Sequence, residues 1–447
     1  MRAARLRGQD KTIVRFASRT AVQNYFAGLP ANFRNAFWLE ITNRYYKEAP
    51  EVYAADSSAA TVNESQLIGY IASSAPTHVI DAWSFLARST EALLKGDLGA
   101  ALHMAYYAEL RAAMSILACE GIGVLNRKHP VIKASGNATT PIQYAEFWQG
   151  RVRGYRSGGA GTHAIVWPLL SHWGSLERAA KLLDDLIAPD GVTMRGWLDA
   201  VGSPRPVRAI SQKWFKSWGL DLGLLNEDHE SRNTVSYRPA ELRRVTVPNA
   251  PEVIQFVSDL WSLFEPNAGG QFPRLERALL RKILRASGKA LTAQVFENRL
   301  GMQQASALSW EQFFANPNEP LPISFAEQAS NVDSKDSAFQ VISRAALLLF
   351  VATGSTRKHL ISAGYMAKDL DFFWRPQCEA RFSGPATELP DNPIDLWQDI
   401  AEHLTDVEAW KSNAAAGTSL GEWRKSQSNV ANQITSFELA GVWGLVS

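Results

Sequence analysis

A mainly α-helical fold in two domains is what this sequence predicts, and three observations predict it. Apolar residues recur three and four apart along most of the chain, convincing strands are few, and the helical pattern is weakest at one proline-flanked point, Val245 to Pro251. At 447 residues the chain exceeds what one hydrophobic core usually organises. Its 46% apolar and 20% charged residues are those of a compact globular protein.

Lys11 to Phe16, with adjacent Thr, Ile and Val, is the best strand candidate. Val79, Ile80, Trp83, Leu86, Ala87, Thr90, Leu93 and Leu94 form one apolar stripe on a helix ending near Gly96, where Gly96 and Asp97 break and restart the chain. Leu98 to Cys119 is apolar nearly all round, as expected of a helix at the centre of a bundle. The region Val124 to Thr162 reads as a long connection with short elements, because it is rich in Gly, Pro, Asn and Thr and holds the run Ser157 to Gly161. Helical patterning returns at Ser175 to Ile187 and at Ile210 to Trp218, on either side of a turn at Ser203 to Pro206.

The prolines at 248 and 251 place a domain boundary there, giving a first domain of residues 1–250 and a second of 251–447. The second opens with the amphipathic series Val253, Ile254, Val257, Leu260, Trp261 and Phe264. A basic helix from Arg274 to Ala286, a proline-bearing loop with Pro317, Pro320 and Pro322, a buried helix from Ala338 to Val351 and a final series, Leu396, Ile400, Leu404 and Val407, complete it.

A net charge of +2 supplies no global field for capturing nucleic acid, so such contact needs a local basic patch. Cys119 and Cys378 lie far apart in apolar or aromatic surroundings, which argues against a disulfide framework and against zinc. His163 and His172 lack metal-ligand spacing, and no nucleotide-loop fingerprint follows the glycine run, so neither a metal nor a cofactor is expected. The longest apolar run, Ala345 to Ala352, is too short to cross a bilayer; a soluble, cytoplasmic protein without a membrane partner is expected.

Polar chemistry is densest at Asp228 to Pro239. A helix capped by Asp228 or Ser231 would put Arg232 and Asn233 in its first turn, with free backbone N–H groups beside an anion-binding guanidinium; the bland alternative pairs Arg232 with Glu227 or Glu230. His229 and Tyr237 lie in the same segment. A second candidate is the stripe His103, Tyr107, Arg111, Ser115 and Cys119, spaced four apart, which aligns an imidazole, a phenol and a guanidinium on one helix face. Lys213 and Lys216 interleave with Trp214, Phe215 and Trp218, a pattern that serves base stacking or, equally, a packed core. Arg274, Arg277, Arg281 and Arg285 share one helix face and call for phosphate, an acidic partner or solvent.

Arg232 followed directly by Asn233, with the ring-bearing polar residue Tyr237 five positions on, resembles the active-site segment of the HEPN superfamily of small helical ribonucleases. The resemblance covers at most the first 250 residues. It implies a helical bundle with a long insertion and metal-independent RNA cleavage at a dimer interface, often in bacterial conflict with phage. Arg232 would hold the scissile phosphate, Asn233 would position it, and His229, Tyr237 or His103 would transfer protons. The family carries histidine where this chain has Tyr237, and a phenol with a pKa of about 10 is a poor base at neutral pH. A literal arginine, six residues, histidine match at Arg156 and His163 spans the glycine run and reads as chance. The resulting expectation is an RNA-directed effector or degenerate relative, a homo-oligomer with RNA or a nucleotide as partner. The alternative is a non-enzymatic helical subunit that binds a protein or nucleic acid through its basic stripe.

Overall fold

The computed structural model describes residues 2–30, 38–133, 139–142, 145–149, 152–153, 161–203, 210–237, 248–267, 269–328, 334–370, 372–373, 376, 393–415 and 417–446. The fold is mainly α-helical, as the periodicity predicts. The first half holds β1 (Arg2–Leu6), α1 (Gly8–Arg15), α2 (Arg19–Gly28), α3 (Ala49–Ala59), α4 (Glu64–Leu94) and α5 (Leu98–Cys119). Next come β2 (His129–Ile132), β3 (Thr139–Ile142), β4 (Ala145–Gln149) and β5 (Val152–Arg153), followed by α6 (Thr162–Trp173), α7 (Glu177–Leu186), α8 (Met194–Ala200), α9 (Ile210–Trp218) and α10 (Leu224–Tyr237). Beyond them lie α11 (Ala250–Leu263), α12 (Pro273–Ala286), α13 (Ala293–Leu300), α14 (Gln304–Ala315), α15 (Leu321–Ala326) and α16 (Ser337–Ser362). The last helices are α17 (Pro393–Asn413), α18 (Leu420–Ser426), α19 (Ser428–Gln433) and α20 (Phe437–Trp443).

The short strands form two antiparallel sheets, β1-β4-β5 and the hairpin β2-β3, within and beside the region expected to be a long connection. The strand expected at Lys11 to Phe16 is instead part of α1. Its β-branched residues are outvoted by tertiary contacts. Val14 is fully buried, and Arg178 takes the terminal carbonyls, donating to Val14 O at 2.8 Å and to Ala17 O at 2.8 Å. The Ser157 to Gly161 run and the turn at Ser203 to Pro206 fall largely outside the described residues, and Cys378 lies wholly outside them.

Helices α4, α5 and α16 make the centre of the protein, α5 lying against both others and against α6 and α10. The stripe from Val79 to Leu94 is buried throughout α4, and Asn63 caps that helix by accepting from Gln66 N at 3.2 Å. Gly96 takes φ 75° to end the turn, and Asp97 caps α5 by accepting from Ala100 N at 3.0 Å. Ala101, Ala105, Ala108, Ala112 and Ala113 are all fully buried on α5, so small side chains let its neighbours approach closely. Ser115 Oγ donates to Ala75 O at 2.8 Å and Ser89 Oγ donates to Ala101 O at 2.7 Å, joining α4 and α5 across the seam. Helix α16 is long and apolar enough to cross a membrane by length and composition, yet 94% of its apolar window is buried inside the protein, as befits a core helix. One connected apolar core takes members from both sides of residue 250, from Leu6 to Val446.

Candidate functional site

Helix α10 runs unbroken from Leu224, so neither Asp228 nor Ser231 caps it and Arg232 and Asn233 do not occupy its first turn. The expectation of free backbone N–H groups beside Arg232 is therefore overturned: two turns of helix precede it, and its surroundings are side chains. The contacts of α10 with α5 and α6 bring those side chains together.

Arg232 sits half-buried at the centre. Its Nη1 donates to Asn233 Oδ1 at 2.8 Å and its Nη2 donates to Tyr107 OH at 2.6 Å. The guanidinium carbon lies 5.3 Å from the Tyr107 ring centroid and 5.8 Å from that of Tyr106. No carboxylate among the described residues pairs with it, Glu227 and Glu230 included, and its buried Nε has no acceptor.

Three imidazoles surround this cation. Asn233 fixes one of them by hydrogen-bond polarity: because its Oδ1 accepts from Arg232, its Nδ2 donates to His229 Nε2 at 3.3 Å. His163, from the first turn of α6, stacks on His229 with ring centroids 5.6 Å apart, and its Nδ1 lies 2.9 Å from Tyr106 OH. His103 Nδ1 lies 2.7 Å from Ser236 Oγ, and its ring packs against Tyr107 at 5.0 Å. Burial and then the charge of Arg232 hold the pKa values of His103 and His229 below the ordinary imidazole value. Burial pushes His163 down to about 4, with the positive charge of its His229, Arg232 and Arg111 neighbours adding to it. All three rings are therefore neutral near pH 7.

Beneath the cluster lies a fully buried charge group. Arg344 on α16 donates through Nε to Asp228 Oδ2 at 2.8 Å and through Nη2 to Asp228 Oδ1 at 2.6 Å, a forked pair with no solvent exposure on either side chain. Glu109 Oε1 is 4.0 Å from Arg344 Nε, and neither Glu109 oxygen accepts a hydrogen bond. Burial first, and then the negative charge of Asp228, raise the Glu109 pKa well above the usual carboxylate value, so Glu109 keeps its proton beside Asp228. One cation, one anion and one neutral acid sum to zero. The group anchors α10 to α5 and α16 without neutralising Arg232.

The stripe expected on α5 is split. His103 and Tyr107 join the cluster, whereas Ser115 and Cys119 turn into the core, because a four-residue step drifts around a 3.6-residue helix. Arg111 joins the group's edge: its Nη1 lies 3.1 Å from His78 Nδ1 and its Nε 3.7 Å from Asp81 Oδ2. Tyr237 ends α10, and its side chain lies outside the described residues. Lys213 and Lys216 are exposed on α9, but Trp214, Phe215 and Trp218 between them are buried, so no ring there is free to stack on a base.

The arginines of α12 do not form a bare stripe. Arg274 pairs with Glu265 at 2.8 Å, and Arg277 pairs with Asp190 at 2.8 Å and stacks on Trp310 at 4.8 Å. Arg285 donates through Nη2 to Phe314 O at 2.6 Å and lies 3.5 Å from Glu319. Arg281 stacks on Phe313 at 4.7 Å and is only 3% exposed, which removes it from any surface a nucleic acid could reach. Arg277, Arg281 and Arg285 thus tie α12 to α14 and the loop after it, so these cations meet protein groups.

His163, Tyr106, Glu109 and Arg344 belong to the site or its support, and the sequence did not single them out for it. His163 arrives through the packing of α6 on α5, a contact no local spacing encodes; Arg156, the other half of the arginine, six residues, histidine match, lies outside the described residues. The one available signal was an acid, Glu109, inside an otherwise apolar helix, which has to find a partner when buried. Comparison of the chain with protein-family models, with curated proteins and with solved structures finds no match.

Proposed function

We propose that the Arg232 cluster binds a phosphodiester of RNA and cleaves it without a metal ion, in an RNA-directed effector of the cytoplasm. One observation carries this reading: a guanidinium with no carboxylate partner among the described residues is ringed by three neutral imidazoles and two phenols, over a support that is already electrically neutral. Such a site lacks an anion, and phosphate is the anion that a guanidinium fork and neutral hydrogen-bond donors fit best.

In this mechanism Arg232 holds a non-bridging phosphate oxygen, and Asn233, propped by His229, keeps the guanidinium aligned. His103 Nδ1 lies 2.7 Å from Ser236 Oγ; in the tautomer with Nδ1–H directed to that oxygen, Nε2 keeps a free lone pair, and burial with the charge of Arg232 keeps the ring unprotonated at neutral pH. It takes the proton of the ribose 2′-hydroxyl. The 2′-oxygen attacks phosphorus, the bond to the 5′-oxygen breaks, and that oxygen takes the hydroxyl proton of Tyr107, whose own oxygen accepts from Arg232. The products are a 2′,3′-cyclic phosphate and a 5′-hydroxyl. A second copy of the chain completes the active form, as in the superfamily it resembles, and defence against phage is the setting that resemblance suggests.

A second reading, retention of RNA or a nucleotide without turnover, is favoured by the tyrosine at position 237, where the superfamily has histidine. The two are separated by incubating the full chain with mixed RNA in the presence of chelator, beside an Arg232→Ala variant shown by thermal melt to be folded. Cleavage with cyclic-phosphate ends, lost in the variant and absent on 2′-O-methyl RNA, supports the enzyme. Binding that Arg232→Ala abolishes, with no cleavage by either protein, supports retention alone.

A further inference from the structure

The hydrogen bond between Tyr106 and His163 has a direction that the surroundings dictate. Tyr106 is fully buried, and His163 Nδ1, at 2.9 Å, is the only hydrogen-bond partner its hydroxyl has among the described residues. If His163 carried its proton on Nδ1, the phenol would accept that proton and its own O–H would be left buried without an acceptor, at the full desolvation cost of an orphaned donor. With the phenol donating, both groups are satisfied. The Trp167 ring meets Tyr106 edge-on at 6.0 Å, and its indole N–H, a donor only, offers the phenol proton no alternative acceptor.

We propose that Tyr106 is a positioning residue that locks His163 as the Nε2–H tautomer, making His163 a hydrogen-bond donor to a substrate phosphate oxygen and excluding it as the base. This rests on the phosphodiester reading above for the identity of the ligand, but not for the tautomer. Consistent with it, Nε2 of His163 has no protein partner among the described residues, and the ring is half-buried beside Arg232, close enough that the guanidinium depresses its titration. The site then offers Arg232, Tyr107 and His163 as three donors around one anion, with His103 left as the single imidazole holding an open lone pair.

The test is nitrogen-15 NMR of the full chain labelled at histidine, with the His163 signals identified as those missing from His163→Gln. The expected result at pH 7 is a proton on Nε2 and none on Nδ1. In Tyr106→Phe the pattern moves to a mixture of both tautomers. Adding a 2′-O-methyl RNA oligonucleotide shifts the Nε2 resonance, and Tyr106→Phe weakens its binding about tenfold, the worth of one hydrogen bond to a charged group. A proton on Nδ1 in the unsubstituted protein overturns the proposal without any variant having to fold, as does an unchanged pattern in a folded Tyr106→Phe. The tautomer is read with no RNA present, so a protein that cuts nothing can still satisfy this assignment. One that cuts RNA but carries Nδ1–H refutes the assignment alone.

Discussion

Replacing Glu109 by glutamine isolates the buried charge group under the site. In the unfolded chain this carboxyl ionises near its ordinary value of 4.5, whereas in the folded protein burial and Asp228 keep it protonated to well above that. Between those two values unfolding releases a proton, so the stability Glu109 contributes is fully present below pH 4.5 and is lost as pH rises, by about 1.4 kcal/mol per unit. Glutamine mimics the neutral acid and cannot titrate. Exchanging the O–H donor for an amide costs about 1 kcal/mol at pH 5. As pH rises above 5 the variant should then gain on the wild type, crossing from slightly less stable to more stable. Asp228→Asn should behave in the opposite way. It strips Arg344 of its forked partner, a loss of about 3–5 kcal/mol for a broken buried pair, reduced because Glu109, 4.0 Å from Arg344 Nε, can ionise as a replacement. Urea unfolding of the three proteins at pH 5, 6 and 7 measures this directly. Parallel pH profiles with Glu109→Gln below the wild type throughout would refute the neutral-acid assignment.

Three further outcomes are expected. The kcat/KM for RNA cleavage should rise with pH along a limb whose midpoint lies below the usual imidazole value of 6.5, because burial and Arg232 depress His103; His103→Gln should lower kcat/KM about 100-fold and remove that limb, and a midpoint above 7 contradicts the base assignment. Gly441→Ala should cost about 3 kcal/mol or more, since a Cβ there would stand 1.9 Å from Cδ2 of the buried Trp83; a midpoint of thermal unfolding unchanged within a degree would show that α20 does not dock as described. Arg277→Ala should cost only about 1 kcal/mol, because its pair with Asp190 and its stacking on Trp310 are partly exposed, and chemical denaturation would expose a larger loss.

The elements most legible in the sequence were those whose burial is written in their own periodicity. The Val79 to Leu94 stripe, the Gly96-Asp97 break and the all-round apolar Leu98 to Cys119 segment all correspond to what α4 and α5 do. Lys11 to Phe16 failed because β-branched residues state a weak local preference, and the contacts that override it come from Arg178, far along the chain. The start of α10 was misjudged for a related reason: Asp228 looks like a cap, but its carboxylate is claimed by Arg344, 116 residues away. Arg232, Asn233, His229 and His103 were legible as candidates because polar groups stand out between apolar helices. Their grouping with His163 and Tyr106 was not, because it depends on how α5, α6 and α10 pack.

Helix α16 shows a further consequence of the Arg344 pair. Its length and apolar make-up would suit a lipid bilayer as well as a protein core. A guanidinium in the apolar interior of such a helix raises the cost of entering lipid by up to about 3 kcal/mol, and the carboxylate that compensates it, Asp228, stands on another helix. Arg344 therefore sets where α16 can rest: its charge is met where α10 brings Asp228 against the helix, so an otherwise apolar segment is tied to one neighbour.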